Sequence, residues 1–145
     1  MKKHLLLISI FILFSNCQEQ NEKYLLLEKY VHSNFDANIK DGNYVVVPLN
    51  VCHTCVEKMI LKLQNPKINK NTVVIIVDYS KINFQKIKSA LPNTTLLFDN
   101  KMSIVKSGII SGNYIEVFVI KNQKIDKIEY HPNVNDNEIE RVLYY

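Results

Sequence analysis

The spacing of the hydrophobic positions changes near residue 51 of this chain. Residues 44–49 form an apolar and largely β-branched run, which is typical of a buried strand. Farther along, apolar residues recur at the i, i+3, i+4, i+7 spacing of one helix face, at Val56, Met59, Ile60 and Leu63. The pattern therefore predicts a strand followed at once by a helix.

Further runs predict the rest of the fold. Residues 72–77 are continuously apolar, as in a strand buried on both faces, and the helix pattern that follows them stops at Pro92. Two strand-like runs, 114–120 and 124–130, flank a two-residue turn and predict an antiparallel hairpin.

Three shorter segments are less regular. Residues 24–35 are compatible with a short helix, 94–98 are a short apolar segment, and 102–110 fit neither a helix nor a strand clearly. At the C-terminus, Asn135 or Asp136 is placed to cap a final helix.

Composition indicates one domain with a modest leader. The chain has 145 residues, of which 47% are hydrophobic, and only three glycines and four prolines. Its net charge is +4, and the lysines are scattered without a basic stripe, so no nucleic-acid partner is expected. Asp78, Asp99 and Glu116 are isolated acids, and His32 and His131 are expected at the surface.

The N-terminus resembles a bacterial lipoprotein signal. Residues 1–16 carry two lysines and then an apolar run at 5–14, which is shorter than the about 20 residues of a membrane span. Cys17 follows directly and is the predicted lipid anchor of a protein in the bacterial envelope, facing the periplasm or the exterior. Residues 17–40 would then be the lipid-anchored tether and short helix. The alternative is a plain secretory peptide with an incidental cysteine.

Two cysteines lie where the predicted strand gives way to the predicted helix. Cys52 and Cys55 have C-x-x-C spacing, and Cys52 is expected just before the helix N-terminus, where free N–H groups and the helix dipole stabilise a thiolate. A protonated His53 would lower the thiol pKa in the same way. The pair is therefore expected to be a redox-active or metal-binding dithiol.

This strand, C-x-x-C and helix unit resembles the thioredoxin-like superfamily, and in particular its membrane-anchored, TlpA-like branch. The resemblance implies an α/β fold over residues 41–145, with a central mixed sheet of about four strands flanked by helices. It implies that Cys52 is the attacking thiol and Cys55 the resolving one, with no cofactor beyond the redox-active disulfide. The implied partners are exported cysteine-containing proteins and an envelope electron donor or acceptor.

Three positions depart from that family's pattern. Val51 replaces the usual tryptophan before the first cysteine, and Val46 stands where many members bury a carboxylate. Ile115 occupies the position of the family's cis-proline, so a trans peptide is expected there. This last departure predicts weak general reductase activity.

Other functions of the cysteine pair remain open. The helix after Cys52 also resembles that of small copper chaperones, so a module that binds Cu(I) or zinc through Cys52 and Cys55 is one alternative. A non-catalytic adaptor with the same fold is another, and an inert structural disulfide is a third. The third role is less favoured, because a disulfide that closes so short a loop adds little stability.

Overall fold

The computed structural model describes residues 22–78 and 80–145. The predicted signal peptide (1–16) and the predicted lipid anchor at Cys17 lie outside the described residues. The predicted boundaries of the tether at 17–40 and of the domain at 41–145 stay predictions.

Five strands and five helices follow one another in the described chain. The first helix, α1, covers residues 22–35. The others are β1 (Gly42–Pro48), α2 (His53–Leu63), β2 (Thr72–Val77), α3 (Lys81–Ala90), β3 (Thr95–Asp99), α4 (Ser103–Lys106), β4 (Ile115–Lys121), β5 (Lys124–Tyr130) and α5 (Asp136–Tyr144).

The strands form one mixed sheet in the order β3-β2-β1-β4-β5. β1 pairs in parallel with β2 and antiparallel with β4, while β2 and β3 are parallel and β4 and β5 antiparallel. This is the predicted thioredoxin-like α/β architecture, with β1 central and its carboxyl end leading to the cysteine pair. The expected strand count of about four was one too low, because the apolar segment near residue 97 joins the edge of the sheet as β3.

Each face of the sheet buries an apolar cluster, since side chains alternate between the faces along every strand. On the face of α2, α3 and α5, the fully buried side chains include Val45, Val47, Met59, Leu63, Ile115 and Ile139. On the opposite face, α1 and the segment around α4 cover Tyr44, Val46, Ile75 and Phe118. The predicted short helix is thus α1, which buries Tyr24, Leu27, Tyr30 and Val31.

The predicted hairpin is present, and its turn has the required backbone. Asn122 and Gln123 have φ values of 52° and 61°, and two positive φ angles characterise the type I′ turn, whose twist matches that of the flanking strands. The final helix follows Asn135, but the Asn135 side chain does not cap it. It bonds instead to the backbone of Glu129 and His131, which closes the turn before α5.

Within the described residues, no helix combines the length and the apolar character needed to span a membrane.

Candidate redox site

Cys52 and Cys55 form a disulfide at the start of α2, with their Cα atoms 5.2 Å apart. Cys52 is the N-cap residue, and its Sγ accepts the backbone N–H of Cys55 at 3.3 Å. Cys52 is exposed and Cys55 is half-buried. The site is therefore a disulfide-forming pair whose exposed member, Cys52, lies at a helix N-terminus.

The end of β1 and the core face of α2 together position this pair. Pro48 is the last residue of β1, and the backbone N–H of Leu49 makes one further bond to the carbonyl of Val77. Proline lacks a donor for the ladder, so the strand ends here and the chain turns toward the cysteines. Met59 and Leu63, both buried, then anchor α2 on the sheet.

His53, predicted to tune the thiolate, points into solvent. Its side chain is 86% exposed, and Nδ1 lies 3.5 Å from Glu57 Oε1, one helical turn away. This pair of residues is held only by a surface contact, which contributes little to stability. The tuning role of His53 stays a prediction.

Ile115 is the first residue of β4 and is buried, with 1% exposure. No cis peptide occurs in the described residues, so the peptide before Ile115 is trans, as expected for a residue other than proline. Its side chain packs in the same apolar cluster as Val47 and Cys55. The structure thus places Ile115 on the cysteine side of the sheet, whereas its role there remains a prediction.

A ring contact joins the loop before β4 to the turn after β5. Tyr114, 43% exposed, has its ring centroid 5.0 Å from that of His131. The turn after β5 is tied to α2, because Lys58 Nζ donates to Asn133 Oδ1 at 2.7 Å. His131 was expected to be an isolated surface residue; it is partly exposed, but it belongs to this junction.

A charged network fixes the other side of that turn against α2. Lys62 Nζ lies 3.1 Å from Asp136 Oδ1 and also pairs with Glu140, while the Tyr130 hydroxyl donates to Asp136 at 2.9 Å. Burial raises the pKa of Tyr130 to about 12, and the hydrogen bond to Asp136 adds to the effect. For Lys62, burial lowers the pKa but the two carboxylates outweigh it, so the net shift is upward. The Lys62 ammonium therefore stays charged.

Glu116 is the residue that sequence reasoning missed. It was taken for an isolated acid, yet it has no exposed surface and stands directly opposite Val46 in the β1–β4 register. Its Oε1 accepts the Ser111 N–H at 3.1 Å, and the Lys127 ammonium lies 3.2 Å from Oε2. Oε2 makes no hydrogen bond, so that contact is an ion pair by charge alone. The available signal was a single acid inside the apolar strand at 115–120.

The described residues contain no cluster of three or more His, Cys, Asp or Glu that would hold a metal ion. Cu(I) can be bound by two thiolates alone, so the alternative of a copper site at Cys52 and Cys55 stays open.

Comparison with known proteins adds little to this picture. No family model and no curated protein sequence matches the chain. Among solved structures, the chain is similar to a peroxiredoxin-like protein from Aquifex aeolicus, at 18% identity over 73% of this chain and 75% of that chain, with a TM-score of 0.44. The thioredoxin-like assignment does not depend on this similarity. It rests on the strand order and on the place of the cysteine pair.

Proposed function

We propose that this chain is an envelope lipoprotein that exchanges disulfides with exported proteins through Cys52 and Cys55. The observation that carries the proposal is the accessible Sγ of Cys52, which accepts a backbone N–H at the start of α2. In the reduced protein the same N–H group and the helix dipole would stabilise a thiolate. Cys55, half-buried in the first turn, is the resolving thiol.

In the reducing direction, the Cys52 thiolate attacks one sulfur of a client disulfide. The client S–S bond breaks, a mixed disulfide forms, and one client thiolate leaves and takes up a proton. The Cys55 thiol then loses its proton and attacks Cys52 Sγ, which expels the second client thiolate. The client gains two electrons, this protein becomes the disulfide seen in the structure, and an envelope dithiol must supply two electrons to reset it.

In the oxidising direction the same steps run backward. A client thiolate attacks the Cys52–Cys55 disulfide, and a second client thiolate resolves the mixed disulfide, so the client loses two electrons. An envelope oxidant then restores the disulfide. The reduction potential of the pair relative to its partner decides between the directions.

The site is tested by comparing the two thiols. Iodoacetamide at mildly acidic pH should modify Cys52 faster than Cys55 in the reduced protein, because only Cys52 caps the helix. Cys55→Ser should accumulate mixed disulfides with exported proteins, whereas Cys52→Ser should not. Faster modification of Cys55 would overturn the assignment. Stoichiometric Cu(I) or zinc binding by the reduced protein, lost in Cys52→Ser and without any disulfide exchange, would favour the metal-binding alternative.

The lipoprotein part of the proposal rests on the sequence of residues 1–17 and has its own test. Cells fed a fatty-acid analogue should label the wild-type protein and not Cys17→Ser. Equal labelling of the two proteins, or labelling of neither, would overturn Cys17 as the lipid anchor and leave the redox site to stand on its own test.

A further inference from the structure

The ion pair between buried Glu116 and partly exposed Lys127 is poorly explained as a source of stability. Removing a carboxylate from water is energetically costly, and replacing a buried ion pair with apolar residues is often neutral or stabilising. Glu116 has no exposed surface, whereas the Lys127 side chain is 32% exposed and also pairs with Glu129. The burial of Glu116 is better accounted for by what its carboxylate holds in place.

What Glu116 holds is the loop between α4 and β4. Its Oε1 accepts both the N–H and the hydroxyl of Ser111, at 3.1 and 3.4 Å. The Ser111 hydroxyl oxygen in turn accepts the N–H of Asn113 at 3.3 Å. Gly112, between them, has a φ of 76° and leaves no room for a Cβ without tight contact with Val105. A chain of hydrogen bonds thus runs from Glu116 toward the end of the loop.

The end of this loop lies near the carboxyl end of β1, which leads to the cysteine pair, because Glu116 pairs with Val46. Tyr114 and Ile115 follow Asn113 directly, and Ile115 packs in the same cluster as Cys55. Glu116 itself points to the opposite face of the sheet, among Val46 and Phe118, because side chains alternate along β4. It therefore acts on the site through the loop and not by touching the sulfurs.

We propose that Glu116 is a positioning residue for client binding: its bond to Ser111 fixes the loop that presents Tyr114 beside Cys52 and Cys55. The inference rests on the proposed disulfide exchange and adds a residue that determines how well a peptide client binds. Loss of the bond would let the loop move while the dithiol, held by α2 and β1, keeps its reactivity.

Two matched double variants isolate that bond. Both E116Q/K127M and E116L/K127M remove the two charges of the pair, but only glutamine keeps a carbonyl oxygen for the Ser111 N–H. Reduced protein is mixed with excess disulfide-containing peptide, or with the small disulfide 5,5′-dithiobis(2-nitrobenzoate), and its single-turnover oxidation is followed. We expect E116L/K127M to raise the half-saturating peptide concentration by about tenfold, below the hundredfold loss that a misplacement of about 1 Å can cause.

Peptide binding by E116Q/K127M should stay near that of the wild type. The reaction of both variants with the small disulfide should do so too. Equal peptide binding by the two variants would overturn the inference, as would a loss by E116L/K127M that is the same for both substrates. A wild-type protein that reacts with neither disulfide would overturn the proposed function, and this inference with it.

Amide hydrogen exchange gives an independent check in the wild-type protein. The Ser111 N–H should exchange slowly because it is bonded to a buried carboxylate. Exchange as fast as that of a freely exposed loop amide would overturn the inference, even if the leucine variant failed to fold.

Discussion

Asp99 and Glu116 are both buried carboxylates in the described part of the sheet, but they are held by different kinds of partner. Asp99, at the end of β3, accepts four hydrogen bonds: the Tyr30 hydroxyl at 3.0 Å and the backbone N–H groups of Lys101, Ser103 and Ile104. Glu116, at the start of β4, accepts only from Ser111 and faces the Lys127 ammonium.

Asp99 therefore has a fixed structural role, whereas the charge balance around Glu116 can be changed by substituting its side-chain partner. Three of the donors to Asp99 are backbone N–H groups, which among substitutions only proline would remove, and they define the turn into α4. The principal charge partner of Glu116 is a side chain, so the pair can be neutralised as a unit. Glu116 lies at the start of β4 and faces the side of the sheet opposite Cys55, whereas Asp99 ties α1 to the β3–α4 corner.

The largest expected effect is that of Asp99→Ala. It leaves the Ile104 N–H and the Tyr30 hydroxyl buried without an acceptor, and each unsatisfied group costs about 1–3 kcal/mol. The free energy of unfolding in urea should therefore fall by about 3 kcal/mol. Glu57→Ala, an exposed acid on α2, is the control and should change it by less than about 0.5 kcal/mol. A similar, small loss for both variants would show that the bonds to Asp99 are not needed.

Lys127→Met is the next largest change, because it leaves the Glu116 charge buried without its counter-ion. Breaking a fully buried pair costs about 3–5 kcal/mol, and partial exposure of the lysine reduces the expectation to about 2 kcal/mol. E116Q/K127M should recover most of that loss in urea unfolding. No side-chain substitution should rescue Asp99→Ala to the same extent, because three of the lost bonds come from backbone N–H groups. If the double variant were as unstable as Lys127→Met, Glu116 would be structural in the manner of Asp99.

The sequence predicted the parts of the fold that depend on local pattern. β1, β2, β4 and β5 are long apolar or alternating runs, and the two-residue turn at Asn122 and Gln123 limits the hairpin register. β3 was seen only as an apolar segment, because edge strands are half-buried and carry a weaker pattern. α4 has four residues, too few to show helical periodicity, and its start depends on the bonds to Asp99 rather than on its own sequence.

The sequence likewise predicted only the part of the candidate site that depends on local pattern. The C-x-x-C spacing and the following helix pattern located Cys52 as the residue before α2. The role of Glu116 could not be found this way, because its burial depends on Lys127, which reaches it diagonally across β4 and β5. Its bond to Ser111 depends on an irregular loop with no pattern at all.

Tyr30→Phe tests one donor of the Asp99 cluster and should cost about 1 kcal/mol, the net value of one buried hydrogen bond. Tyr30→Phe should also change how the stability of the protein depends on pH above about 10. Burial raises the pKa of Tyr30 above its usual range, and Asp99 adds to the shift. The unfolded chain therefore loses this proton first, and wild-type stability should fall as pH rises above about 10. The fall should be shallower in Tyr30→Phe; identical slopes would show that Tyr30 is not protected in the folded protein.

The smallest effect is expected at Asp136, a carboxylate that has both backbone and side-chain partners. Burial favours a higher pKa, but hydrogen bonds from the Asn133 N–H, Lys62 and Tyr130 outweigh it and lower the pKa. A lowered folded pKa adds stability at pH values above the unfolded pKa of about 3.9, and that stability is lost as pH falls through the folded pKa. Asp136→Asn should thus be less stable than wild type at neutral pH, by about 0.5 kcal/mol as for partly exposed pairs.

The difference between wild type and Asp136→Asn should disappear in acid, below the folded pKa, when urea unfolding is followed from neutral pH downward. Glu138→Gln is the matched control, because it removes an exposed negative charge from the same first turn of α5 and so reproduces any effect of the helix dipole. A difference that persists unchanged in acid would mean that the amide disturbs the turn by its shape. Asp136 would then resemble Asp99, whose oxygens serve as acceptors, and not Glu116, whose charge has a side-chain partner.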